Sequence, residues 1–208
     1  ALTARLLDAK TGEEQLRGSV AQRFYFSSQQ VVLPGQTPRK DMESDLFAEG
    51  GFSAFDDWRF DAVGQYTARQ SRWQGGALTA RYDPRPGYSA FASYRFARDA
   101  VNVVDLAFQA PVTKNWYAVG RYSYSLAHKE NDVQVDAGLV EAIAGFEYDG
   151  GCWVGRMVLQ QFATAARETN TAVFLQLELN GIARVGTDPL QLLRRSIPSY
   201  RMVNQLAP

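Results

Sequence analysis

The chain has 208 residues, long enough for one domain with a substantial core. Its 22 Lys and Arg balance 22 Asp and Glu, so nothing points to a nucleic-acid partner or a polybasic membrane patch. No apolar run approaches the ~20 residues of a membrane helix. That excludes a helical span but not a transmembrane barrel, whose strands show lipid only at every second residue and average out as polar. The mean hydropathy of -0.29 fits this.

Aromatic residues make up 12% of the chain, with 10 Tyr, 12 Phe and 4 Trp beside 3 Met. Such side chains pack well on a pleated surface, which favours strands. Period two runs from one end to the other. Strands are predicted near 2–8, 15–26, 45–55, 58–69, 73–82, 88–97, 101–111, 116–126, 139–148, 152–163 and 172–182. In 58–69, Trp58, Phe60, Ala62, Tyr66 and Ala68 alternate with Arg59, Asp61, Gln65, Thr67 and Arg69. In 73–82, Leu78, Ala80 and Tyr82 oppose Thr79 and Arg81. Between 116 and 126, Trp116, Ala118, Tyr122, Tyr124 and Leu126 oppose Arg121, Ser123 and Ser125. Near the end, Val173, Leu175, Leu177 and Leu179 oppose Gln176, Glu178 and Asn180.

Turn signals separate these runs. One edge has short turns at 10–12, Asp56-Asp57, 83–87, 111–115 and Asp149-Gly150-Gly151. The other has more varied connections: a long one near 27–44 with Pro34, Gly35 and Pro38, a polar stretch at 129–136, and loops near 70–72, 98–100 and 164–171. Outer-membrane barrels combine short turns on one edge with longer loops on the other.

A soluble lipocalin or sandwich would alternate too, with its apolar face inward. Three features favour the membrane. Most predicted strands run about 10–12 residues, against the ~5–6 usual in globular sheets. The polar face carries full charges strand after strand, at Arg59, Arg69, Arg81, Arg95, Arg121, Arg156 and Glu178, so it must be wet or mutually paired. All four tryptophans, Trp58, Trp73, Trp116 and Trp153, lie beside predicted strand ends, where indoles form an interfacial girdle. The expected fold is therefore all-β, a transmembrane antiparallel barrel. About eleven strands is an odd number that cannot close antiparallel, and the chain starts at Ala1 with no signal-peptide pattern. Both lead to the expectation of a piece of a larger barrel, with strands over 1–182 and a tail over 183–208.

Cys152 is the only cysteine and His128 the only histidine. A lone Cys is most often a small buried hydrophobe. In an oxidising compartment an odd cysteine beside a tight turn instead points to a partner elsewhere in the parent protein. His128 lies in a predicted loop between Ala127 and Lys129, with no evident serine and carboxylate to build a hydrolase around it. One Cys and one His do not make a typical zinc site, and no cofactor is expected. An arginine-lined lumen is also compatible with a diffusion porin.

Two segments carry a family resemblance. Phe146-Glu147-Tyr148-Asp149-Gly150-Gly151-Cys152-Trp153-Val154-Gly155-Arg156 resembles the strand–turn–strand of the LptD family of lipopolysaccharide-assembly proteins. The run from Phe174 to Ile182, followed by Gly186-Thr187-Asp188-Pro189-Leu190 and the segment Leu193 to Tyr200, is similar to that family's last strand and tail. Gly18 to Phe26 fits as well. The resemblance implies the C-terminal part of a very large barrel in the Gram-negative outer membrane, preceded in the parent protein by a periplasmic jellyroll domain. It implies non-enzymatic transport of lipopolysaccharide, an LptE-like plug lipoprotein in the lumen, and periplasmic bridge proteins reached through the N-terminal domain. Substrate would leave sideways past the last strand, whose gate-lining positions here are Val173, Leu175, Leu177, Leu179, Asn180 and Gly181. By the same resemblance Cys152 forms a disulfide with the N-terminal domain. Leu190, Leu193 and Ile197 suggest an amphipathic turn packing against the barrel or its plug.

Overall fold

The computed structural model describes residues 1–26, 43–54, 57–130, 133–164 and 168–205. In chain order the elements are β1 (Leu2–Leu7), β2 (Glu14–Ala21), β3 (Leu46–Ala54), β4 (Trp58–Thr67), β5 (Arg72–Arg85), β6 (Tyr88–Ala97), β7 (Val101–Pro111) and β8 (Trp116–Ser125). There follow β9 (His128–Glu130), β10 (Val133–Val135), β11 (Gly138–Asp149), β12 (Trp153–Ala163), β13 (Thr169–Leu179), β14 (Ala183–Gly186) and helix α1 (Pro189–Ser196). Twelve strands form one sheet in the order β1-β2-β3-β4-β5-β6-β7-β8-β11-β12-β13-β14, and every adjacent pair is antiparallel. The remaining two, β9 and β10, make a separate hairpin beyond the sheet.

Each of the eleven predicted strands is present; the differences lie at their ends and in the connection expected near 129–136, where β9 and β10 pair. The expected strand 15–26 stops at Ala21. The strand expected to 69 stops at Thr67, because Ala68–Gln70 wind into a 3-10 turn closed by Ser71 at φ 46. Arg69 therefore lies in that turn and not on a strand. Thr169–Leu179 starts three residues early and ends before Asn180-Gly181, which form a turn. Residues 183–186, expected to begin a tail, form β14 and pair with Leu179 to Gln176 of β13. Most of the long connection expected at 27–44, together with Asp56 and parts of the stretches at 129–136 and 164–171, lies outside the described residues.

The two faces of the sheet differ sharply. On one, Leu16, Phe52, Leu78, Leu106, Phe108, Phe146, Met157, Val173 and Leu175 are all exposed. Glycine and aromatic residues interlock there: a side chain added to Gly120 would collide with the Phe108 ring, and one added to Gly76 would press on Phe96. Both pairs are cross-strand neighbours, Gly120 with Phe108 and Gly76 with Phe96. The other face carries charges and amides, and against it lies the chain end. Asp188 caps α1 by accepting from the Leu190 amide at 3.1 Å, and Pro189 occupies the first turn, where its missing N–H costs nothing. Leu192, Leu193 and Ile197 then pack on Ala107, Val119, Ile143 and Val158. This small core is the main buried apolar contact, because a sheet of this kind turns its larger apolar face to lipid.

That inversion predicts opposite outcomes at neighbouring positions. Leu78→Arg, on the outer face near the middle of β5, should lower stability in lipid vesicles by ~2–4 kcal/mol. Thr79→Arg, one residue on and facing inward, should change it by less than about 1 kcal/mol. Equilibrium refolding of the full-length protein into vesicles measures both.

Candidate functional site

The inner face organises its charges in rows set by the register. Arg121 on β8 donates to Asp105 on β7 at 2.8 Å and to Glu141 on β11 at 2.7 Å. Nearer the short-turn edge, Arg156 on β12 donates to Glu147 on β11 at 3.0 Å and to Glu178 on β13 at 2.6 Å. It also reaches Gln176 at 2.9 Å. The side chains of Arg156 and Glu147 are fully buried, so each charge depends on its partner for the solvation it has lost.

The chain end closes over this cluster. Tyr200 donates its hydroxyl to Glu147 at 2.6 Å. Burial and the adjoining carboxylate push that hydroxyl well above its ordinary range, so it stays protonated and serves as a donor. The Arg201 amide donates to Gln109 at 3.0 Å, and the Gln109 side chain returns a bond of 2.8 Å to the Arg201 carbonyl. Ser199 donates to Asp83 at 3.0 Å. From β14, Arg184 donates to the second carboxylate oxygen of Glu178 at 3.0 Å. One buried ionic group thus joins β11, β12, β13, β14 and the tail.

Arg156 and Glu178 are the two predicted lumen charges that meet. Arg59 and Arg81 face each other directly across β4 and β5, and the Arg81 guanidinium lies 5.9 Å from the centre of the Phe91 ring. Arg95 is exposed on β6. Val173, Leu175, Leu177 and Leu179 all point to the outer face of β13 and are exposed. Trp58, Trp116 and Trp153 sit at the short-turn ends of β4, β8 and β12, and Trp73 at the opposite end of β5. Each has an aromatic neighbour: Tyr82 for Trp58, Tyr66 for Trp73, and Tyr148 for both Trp116 and Trp153. Cys152 is exposed in the turn between β11 and β12, where its carbonyl accepts from the Asn180 amide at 3.0 Å. The turn before β14 and the cysteine turn are therefore neighbours. His128, expected in a loop, instead opens β9, and its Nδ1 lies 3.0 Å from the Leu126 carbonyl oxygen.

Sequence reading missed Glu147, Tyr200 and Arg184. Glu147 had a signal, since it alternates with Phe146 and Tyr148 and so belongs to the inner face. Tyr200 had none, because its partner is 53 residues away.

A family model described as LPS transport system D matches residues 1–116. The chain belongs to the LptD family. Among its relatives, the LPS-assembly protein LptD of Bordetella avium (strain 197N) is 42% identical over 221 residues, covering all of this chain and 28% of its own length. That of Thiobacillus denitrificans is 39% identical, again over the whole chain and 28% of the relative. That of Aromatoleum aromaticum is 38% identical over 99% of the chain and 25% of the relative. The chain thus spans little more than a quarter of the LptD proteins it matches. Its sheet, apolar outside and ionic inside, is a section of an LptD barrel wall.

Breaking the ionic cluster should be costly because its members are buried. Arg156→Met, which leaves the buried Glu147 without a cationic partner while Glu178 keeps Arg184, should lower stability by ~3–5 kcal/mol. Tyr200→Phe removes one hydrogen bond to a charged group and should cost ~1.5–3 kcal/mol. Denaturant midpoints of the full-length protein in detergent or lipid decide between them.

Proposed function

We propose that the parent protein delivers lipopolysaccharide to the outer leaflet of the outer membrane, and that this chain supplies the barrel wall ending at the exit. Family membership carries the reading, since the relatives named above are lipopolysaccharide-assembly proteins. That does not favour a diffusion porin or a hydrolase built on His128. The role is mechanical and non-enzymatic. The outward apolar face meets lipid, the indole-bearing strand ends sit at the two headgroup layers, and the short-turn edge lies in the periplasm.

In this reading Arg59, Arg81 and Arg95 face a lumen occupied by an LptE-like lipoprotein, and periplasmic bridge proteins hand over the lipid at a preceding domain. Cys152 forms a disulfide with that domain. The exposed position of Cys152 in the turn at the proposed periplasmic edge supports this. Lipid leaves beside β13, past Val173, Leu175, Leu177 and Leu179.

Depleting the parent protein should reduce surface lipopolysaccharide while newly made lipid accumulates behind it, as read by surface labelling and fractionation. His128→Ala should leave both unchanged; a loss of export with that variant would revive the hydrolase. On a non-reducing gel, Cys152→Ser should change the mobility of the full-length protein, and identical migration would count against the disulfide.

A further inference from the structure

The edge strand of this sheet is covered over only part of its length. β13 has 11 residues, whereas β14 has 4 and pairs with Gln176 to Leu179. One more step is covered by a side chain: Thr187 accepts from the Leu175 amide at 2.8 Å, and its own amide donates to the Leu175 carbonyl at 2.9 Å. The chain then leaves the plane of the sheet and enters α1 on the inner face. In an antiparallel strand, alternate residues address the same neighbour. Leu175, Leu177 and Leu179 are therefore taken, and Thr169, Thr171 and Val173 are left.

The covering segment is fixed by several independent contacts. Gly186, at φ 106, lies so close to β13 that any side chain would overlap the Leu175 carbonyl. Arg184 bonds Glu178 of the buried cluster, Asn204 reaches Asn180 at 3.3 Å, and Leu193 and Ile197 are fully packed.

We propose that β14 and the chain entering α1 form a permanent wedge in the barrel seam, capping the inner end of β13 and leaving only Thr169–Phe174 to pair with another strand. The occupant of that outer stretch is a strand of the same polypeptide, since the relatives are more than three times as long as this chain and unpaired backbone is not tolerated in hydrocarbon. A straight strand cannot follow both β13 and β14, whose axes are offset by one ~4.8 Å strand spacing. The seam along β13 is thus short by construction. This rests on the reading that lipid exits beside β13, and deepens it: few ladder bonds need to part.

Cysteine pairs in the full-length protein, in cells that contain its natural partners, test the wedge. Single cysteines along the barrel strand that adjoins β13 are combined with Thr171→Cys, Val173→Cys, Leu177→Cys or Leu179→Cys. Disulfides should form with positions 171 and 173 and be about tenfold scarcer with 177 and 179, where β14 holds the neighbour outside bonding range. Equal yields along the strand, or none at 171 and 173, would overturn the wedge. Leu177→Cys with Val185→Cys, which face each other in the register, should cross-link readily, with the same surface lipopolysaccharide whether that bond is oxidised or reduced. Failure to cross-link, or an export block that reducing agent relieves, would mean that β14 leaves β13. Gly186→Val should dislodge the wedge and raise cross-linking at 177 toward that at 173; no rise also counts against it. Should depletion leave surface lipopolysaccharide intact, the transport reading falls, while the cross-link pattern still reports on the wedge.

Discussion

Backbone amides and carbonyls buried in hydrocarbon must find partners, and water cannot supply them. In this chain the neighbouring strand supplies them, eleven times over from β1 to β14. Once that ladder is set, side chains can only point to one face or the other, and the two-residue period follows. Lipid then demands apolar groups outside, which frees the inner face to carry charge. The same rule decides where the structure is unusual. Charges inside must still be paired where water is excluded, and Arg156 with Glu147 and Glu178 is where that requirement is strictest. The edge of β13 is the other special place, since its ladder partner changes partway along.

The chain end links these two places. Its helix covers the inner wall with Leu192, Leu193 and Ile197, and its last residues bond to the buried ionic group. A hairpin turn at Asn180-Gly181 sends it back along β13 before it enters the barrel. Wall, edge and tail therefore form one mechanical unit, and a disturbance at Tyr200 is felt at Glu178 through two shared charges.

The alternation was legible because each long strand repeats it five or more times, and a single misfit such as Gly64 does not hide the pattern. Boundaries were less so. Arg69 continues the alternation of β4 perfectly, yet the chain turns at Thr67, and nothing in Ala68-Arg69-Gln70 announces it. β14 has only four residues, too few to show a period, and Asn180-Gly181 reads equally well as a strand end or a hairpin turn. Partners were hidden for another reason. Arg156 and Glu178 were both placed on the inner face, but their meeting depends on register: Arg156 lies opposite Gln176, and Glu178 is its diagonal neighbour. The amphipathic spacing of Leu190, Leu193 and Ile197 did show that the tail packs, while its partner surface emerged only from the fold.

The interlocked glycine and aromatic pairs on the outer face have an evolutionary consequence. Gly120 leaves a hollow that the Phe108 ring fills, and Gly64 does the same for Trp73. Neither member can change alone without a clash or a dent in the wall facing the acyl chains. Such pairs should mutate in tandem among LptD sequences, ring shrinking as glycine grows. Lineages would then drift in which strand bears the ring, yet keep a wall of constant thickness.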